Sequence, residues 1–283
     1  MKEKELHRGV VPFLNCKDHL VSDETYEIML NEENEMLVTS PIPADLDKYY
    51  ESEDYQSHHN QKKTFLNFIY NTVKKRSFKR KESIFQNGTT QKSILDIGAG
   101  TGDFLEYCRD NKYSVTGTEP SEAARKIAKQ KGIDLYKSIE EIADHKFDVI
   151  TMWHVLEHVP NLFECLEQLK DMLKEKGKLI IAVPNFKSYD AEYYKEYWAA
   201  YDVPRHLWHF SQKSIRTLFD SVEMKVVKVH PLKYDSFYVS LLSEKHKTGK
   251  SNYMKAFWVG LKSNMKASKT SEYSSLIYEL EHA

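Results

Sequence analysis

Hydrophobic positions along this chain follow two periods. Residues 25–30 (TYEIML) and 35–40 (EMLVTS) are short β-prone runs around the polar Asn31-Glu32-Glu33-Asn34, which predicts a hairpin ended by Pro41 and Pro43. Over 61–77, Phe65, Ile69 and Val73 recur at i, i+4 and i+8, the pattern of an amphipathic helix. From residue 93 apolar strands alternate with helical segments. Strands are predicted at 93–98 (SILDIG), 114–119, 133–136, 147–153 (FDVITMW) and 178–184 (KLIIAVP). Helices fall between them at 102–111, from the cap Ser121 to about 131, and at 161–175. Apolar strands alternating with helices require a parallel sheet covered on both faces, hence an α/β fold. An irregular stretch (186–210), a helix capped by Ser211 and a strand at 224–232 follow.

The expected organisation is an N-terminal extension with a hairpin and a Tyr/His lid segment (1–60), a helix and connector (61–92), the sheet domain (93–232) and a C-terminal helical tail (233–283). In the tail, Met254, Phe257, Trp258, Leu261 and Met265 share one helical stripe, with Lys255, Lys262 and Lys266 around it. Packing on the domain or a dimer contact is the expected role of that stripe, so monomer and homodimer both stay open. Docking on an anionic membrane is the second reading.

Charge narrows the function. There are 41 basic and 42 acidic residues among 283, so no global field argues for nucleic acid. The basic run from Lys74 to Lys81 is short and reads as a solvated helix face. No apolar run approaches the ~20 residues of a membrane span, and the first residues, MKEKELHRGV, lack a secretory h-region. Cys16, Cys108 and Cys165 are scattered and fit neither a disulfide framework nor a zinc pattern, which predicts a reducing, cytoplasmic setting.

The sharpest chemical signal is Asp96-Ile97-Gly98-Ala99-Gly100-Thr101-Gly102-Asp103, placed where the first sheet strand ends and a helix opens. Glycines there permit a tight turn and close approach of backbone to a ligand. A dinucleotide fingerprint would need its third glycine at position 103, which is Asp, and an acid at the helix N-terminus is a poor host for pyrophosphate. Glu119 ends the next strand, where a carboxylate can accept from ribose hydroxyls.

The D-x-G-x-G-x-G loop, the acid at Glu119 and the segment FDVITMWHVLEHVPN (147–161) together resemble class I S-adenosylmethionine-dependent methyltransferases, most closely the methyltransferase-23-like group. The resemblance is strongest over 93–185 and implies a Rossmann-like sheet with helices on both faces. It places Asp96, Gly98, Ala99, Gly100 and Gly102 at the cofactor's methionine portion, Glu119 and Pro120 at the ribose, and Ser138 and Ile139 near the adenine. Met152 and Trp153 would line the pocket beside the sulfonium, and Tyr50, Tyr55 and His58 would close over the methionine end or pack as a lid. Some similar proteins carry a cysteine-paired zinc ribbon before such a Tyr/His segment. Here Asn31–Asn34 stands in place of the second pair and only Cys16 remains of the first, so no metal is expected.

His154-Val155-Leu156-Glu157-His158 also spells H-x-x-E-H, an inverted zinc-protease signature when both histidines share a helix face. Its position directly after a strand and before Pro160 argues against that chemistry. The same stretch resembles ubiquinone-type O-methyltransferases, in which acidic and His residues at corresponding positions could touch a metal. His154 and His158 are either structural or bases that take a proton from an acceptor. The expected function is methyl transfer to an O or N nucleophile of a small or lipid-linked acceptor, the alternative being a non-catalytic cofactor-binding scaffold. Finally, WAAYDVPRHLWHF (198–210) mixes aromatics with Asp202, Arg205, His206 and His209 in the loop after a sheet strand. Such a segment suits a pocket wall, with His206 and Arg205 facing the acceptor and Trp208 and Phe210 as anchors.

Overall fold

A computed structural model describes residues 6–50, 76–86 and 92–283. Most of the helix predicted at 61–77, together with Tyr55 and His58, lies outside the described residues. The described strands form two sheets. The smaller is antiparallel and consists of β1 (Val10–Lys17), β2 (Thr25–Asn31), β3 (Met36–Ser40) and the two-residue β8 (Trp208–His209), in that order. Its predicted hairpin turns where expected: the Asn31 side chain accepts from the N–H groups of Glu33 and Asn34, and the Asn34 side chain accepts from Met36.

The main sheet contains β4 (Ser93–Ile97), β5 (Ser114–Thr118), β6 (Phe147–Trp153), β7 (Leu173–Pro184), β9 (Met224–Pro231) and β10 (Ser275–His282), ordered β5-β4-β6-β7-β10-β9. The β5-β4-β6-β7 half is parallel. Successive residues of these strands enter opposite cores. Ile94, Val149 and Ile180 pack with Phe85 and Phe104, from a helix whose described part is 76–85 (α1) and from α2 (Asp103–Asp110). Leu95, Ile150 and Ile181 pack with Leu166 and Leu218, from α4 (Leu162–Met172) and α6 (Gln212–Asp220). Unbroken apolar runs with period-two pointing are what a sheet covered on both faces demands. The remaining helices are α3 (Glu122–Gln130), the short α5 (Tyr189–Tyr194), α7 (Asp235–Thr248) and α8 (Tyr253–Thr270).

Two expectations change. The strand predicted at 133–136 is reduced to one parallel bridge, Thr118 to Tyr136. The tail expected to be helical through 283 holds α7 and α8 but then β10, which inserts antiparallel between β7 and β9. Ser275–Leu280 is buried on both faces, so the sheet domain is completed by the end of the chain and not at 232.

Candidate functional site

The carboxyl ends of the parallel strands carry the site, as in other open α/β sheets. After β4, Gly98, Gly100 and Gly102 all have positive φ (68°, 55° and 73°). A Cβ on Gly98 would lie 2.5 Å from the Val155 side chain, and one on Gly102 would lie 3.1 Å from Ala128, whereas one on Gly100 would meet nothing. Gly100 is therefore the point at which a ligand can reach backbone. Its N–H donates to Glu119 Oε2 at 2.9 Å, and Ser121 N–H donates to Oε1 at the same distance. Loop and acid are thus locked together. Asp103 pairs with Lys131 at 2.7 Å beside the helix N-terminus, a place where its carboxylate would repel a pyrophosphate. Pro120 is exposed, while Ala99, Ser138 and Ile139 are half-buried.

Three residues predicted at the cofactor have their side chains buried or engaged with other groups. Asp96 is buried under the loop and accepts from the Thr151 hydroxyl at 2.5 Å. Burial pushes its carboxyl up to about 6, against the Thr151 hydrogen bond and the Lys81 charge. Met152 is fully buried with Ile97, Leu156 and Ile181, because alternation along β6 sends it into the core and its neighbour Trp153 to the other face. Tyr50 sits beside His158, its hydroxyl 3.1 Å from Nδ1 and 3.4 Å from the Arg205 carbonyl, so it belongs to the histidine cluster. Trp153 is half-buried, edge-on to Phe104, with Lys81 Nζ 3.9 Å over its ring. Lys81, in sequence the end of a basic run expected to be solvated, is instead packed on this ring. Burial lowers its ammonium to about 8.

The H-x-x-E-H segment is not α-helical. Leu156–His158 is a single 3-10 turn, and His154 precedes it with φ 57°. The two histidines therefore share no helix face, and the protease geometry is absent. His154 lies 3.1 Å from Asp235 and 3.4 Å from Glu157. Burial would lower its pKa, but these carboxylates outweigh burial and raise it to about 10. It carries its proton at neutral pH, so the expectation that it could act as a base is corrected. Asp235, on α7, is a further partner that no local sequence signal revealed.

His158 behaves oppositely. Its Nδ1 lies 3.0 Å from the Arg205 carbonyl, which assigns the ring proton to that nitrogen and leaves Nε2 as an acceptor. Burial and the adjacent His206 push its pKa down to about 4. His206 repeats the arrangement, with Nδ1 2.9 Å from the Ala200 carbonyl and its ring edge-on to His158 at 4.5 Å. Glu157, 1% exposed, completes the cluster, and its carboxyl is held low: burial raises it, but the three surrounding histidines prevail. Ligand atoms of Glu157, His158 and His206 all lie within 4.8 Å of one another. Ring N–H groups anchored on backbone carbonyls are the usual support of imidazole ligands, so this set could hold a divalent cation, contrary to the expectation of none. The three cysteines are free and buried.

The segment 198–210 is a strap through the interior. Trp198, Tyr201, Trp208 and Phe210 are all buried; Trp208 pairs with Val38 within the smaller sheet, and Phe210 bridges to Asn185 just past the end of β7. Arg205 does not face an acceptor. It is 1% exposed and grips Asp18 at 2.9 Å and Asp202 at 2.6 Å, tying the β1–β2 turn to the strap. Only His206 of the two residues expected on the acceptor side reaches the cluster.

A parallel sheet with a glycine loop after its first strand and an acid after the next defines a Rossmann-like cofactor-binding protein. The chain belongs to the Methyltransf_23 family, a methyltransferase domain whose profile matches residues 70–229, and so to the class I S-adenosylmethionine-dependent methyltransferases. S-adenosylmethionine is its cofactor. Among curated proteins it is similar to the ubiquinone biosynthesis O-methyltransferases of Actinobacillus pleuropneumoniae (36% identical over 113 residues, 35% of this chain and 48% of that protein) and Histophilus somni (35% over 113 residues, with the same coverage). The chain spans about half the length of these relatives. Its fold matches an O-methyltransferase of a trans-AT PKS multienzyme from Brevibacillus brevis, solved with S-adenosylhomocysteine (TM-score 0.52, 11% identity, 77% of this chain and 76% of that one). It also matches a putative sarcosine dimethylglycine methyltransferase from Galdieria sulphuraria (TM-score 0.51, 15% identity, 74% and 85%).

Proposed function

We propose that this protein methylates a hydroxyl oxygen of a small or lipid-linked acceptor. When bound, S-adenosylmethionine supplies an electrophilic methyl group and departs as S-adenosylhomocysteine. The Gly98–Gly102 loop and Glu119 hold the cofactor, and the His158 Nε2 takes the acceptor proton. One observation carries this reading: Val155, which opens the turn that bears His158, packs on Gly98 of the cofactor loop. A hydroxyl must shed its proton as the new bond forms, and a neutral imidazole is suited to receive it. The similarity to ubiquinone biosynthesis O-methyltransferases supports the same reading.

The test is incubation of the protein with methyl-labelled cofactor and fractionated small molecules and lipids from cells. Label is expected in a base-stable ether. Label found only in amines would move the nucleophile from oxygen to nitrogen, and bound cofactor without turnover of any fraction would favour the scaffold reading.

A further inference from the structure

The helix α8 presents its large apolar residues to solvent and its small ones to the protein. Ala256, Gly260, Ser263 and Ala267 are buried, with Val259 the one larger side chain among them. At Gly260 the fit against α7 is so close that an added Cβ would come within 3.0 Å of Phe237 and Ser236 backbone. The stripe expected to pack on the domain is displaced to the opposite face, because only small residues admit that approach. Met254 is 71% exposed, Trp258 61% and Met265 63%. These three fall at i, i+4 and i+11, one face of an α-helix.

Lysines identify what would cover this face. Residues 253–270 contain Lys255, Lys262, Lys266 and Lys269 and no Asp or Glu, whereas the whole chain is close to neutral, at −1. At 100° per residue these lysines flank the apolar stripe on one side. Lys255 is fixed at 3.3 Å by the buried Glu244, which anchors the helix in this rotation. The helix itself adds no acid to this border, and the exposed carboxylate that reaches it, Glu192, lies 3.9 Å from Lys266 Nζ, so the face stays complementary to anionic headgroups over acyl chains. No helix among the described residues is long and apolar enough to cross a membrane, so the contact lies in the interface plane.

We propose that α8 docks the protein on an anionic lipid bilayer, with Met254, Trp258 and Met265 entering the headgroup–acyl boundary and Lys262, Lys266 and Lys269 meeting lipid phosphates. The proposal stands apart from the acceptor proposed above.

Flotation of the full chain with phosphatidylcholine vesicles, with and without phosphatidylglycerol, tests it. Binding is expected only to vesicles containing phosphatidylglycerol and is expected to weaken with salt. Trp258→Ser combined with Met254→Ser should reduce it by roughly tenfold or more, as should Lys262→Glu combined with Lys269→Glu. Cofactor affinity by calorimetry should be unchanged in both variants, which separates lost docking from lost folding. Absence of flotation at low salt, or flotation that the Trp258 variant leaves intact, overturns the proposal. So does a wild-type dimer, seen by light scattering, that the Trp258 variant dissociates, since a second copy would then cover the face.

Discussion

Arg205→Met is expected to lower the free energy of unfolding by about 3–5 kcal/mol, the cost of removing one partner from a buried ion pair. The Arg205 guanidinium is enclosed and holds two carboxylates, Asp18 and Asp202, both kept ionised below the usual carboxylate range: burial opposes this, and the arginine overcomes it. Asp18 also accepts from the N–H groups of Leu20 and Ser22, so the β1–β2 turn should loosen with it. Adding Asp202→Asn to the variant should recover part of the loss, because one uncompensated charge then disappears. Denaturant unfolding of the two variants measures both effects. A loss under about 1 kcal/mol accompanied by loss of methyl transfer would return Arg205 to the acceptor site.

His158→Asn is expected to lower the transfer rate by roughly 10²–10⁴, the usual contribution of a positioned base, with cofactor affinity unchanged. The asparagine amide can take over donation to the Arg205 carbonyl, so the turn should persist. Stability offers a second readout. The folded pKa, about 4, lies below the ordinary 6.5, so the unfolded chain takes up this proton first. The native state is then fully favoured above pH 6.5 and loses stability as pH falls toward 4. The variant should lack that part of the acid decline. His206→Ala should likewise lose transfer and keep cofactor affinity. Full activity in both variants would leave the cluster a structural seam.

Much of this architecture is written in local pattern. Strands β4, β6 and β7 are apolar runs that only a doubly covered sheet can bury, and the glycine loop with Glu119 announced its own ligand class. Context decided the rest. Leu276-Ile277-Tyr278 is a β-prone run no longer than that at 25–30, and only its place between β7 and β9 shows that it completes the sheet. Arg205 and His206 look equivalent in P-R-H-L, yet Arg205 turns to Asp18, 187 residues away. His154 and His158 share a motif but acquire opposite proton affinities, because Asp235 approaches one and His206 the other. Lys81 belongs by sequence to a basic helix face and by packing to Trp153.

The central claim is that the Gly98–Gly102 loop and Glu119 form the S-adenosylmethionine site. Calorimetric titration of the cofactor into the wild type, Glu119→Ala and Gly100→Val tests it most directly. Saturable binding is predicted for the wild type. Weakening by about 1–3 kcal/mol is predicted for Glu119→Ala, the scale of a charge-assisted hydrogen bond. No detectable heat is predicted for Gly100→Val, whose side chain would fill the open approach at a φ of 55° that β-branched residues avoid. Equal affinity in all three proteins would contradict the account.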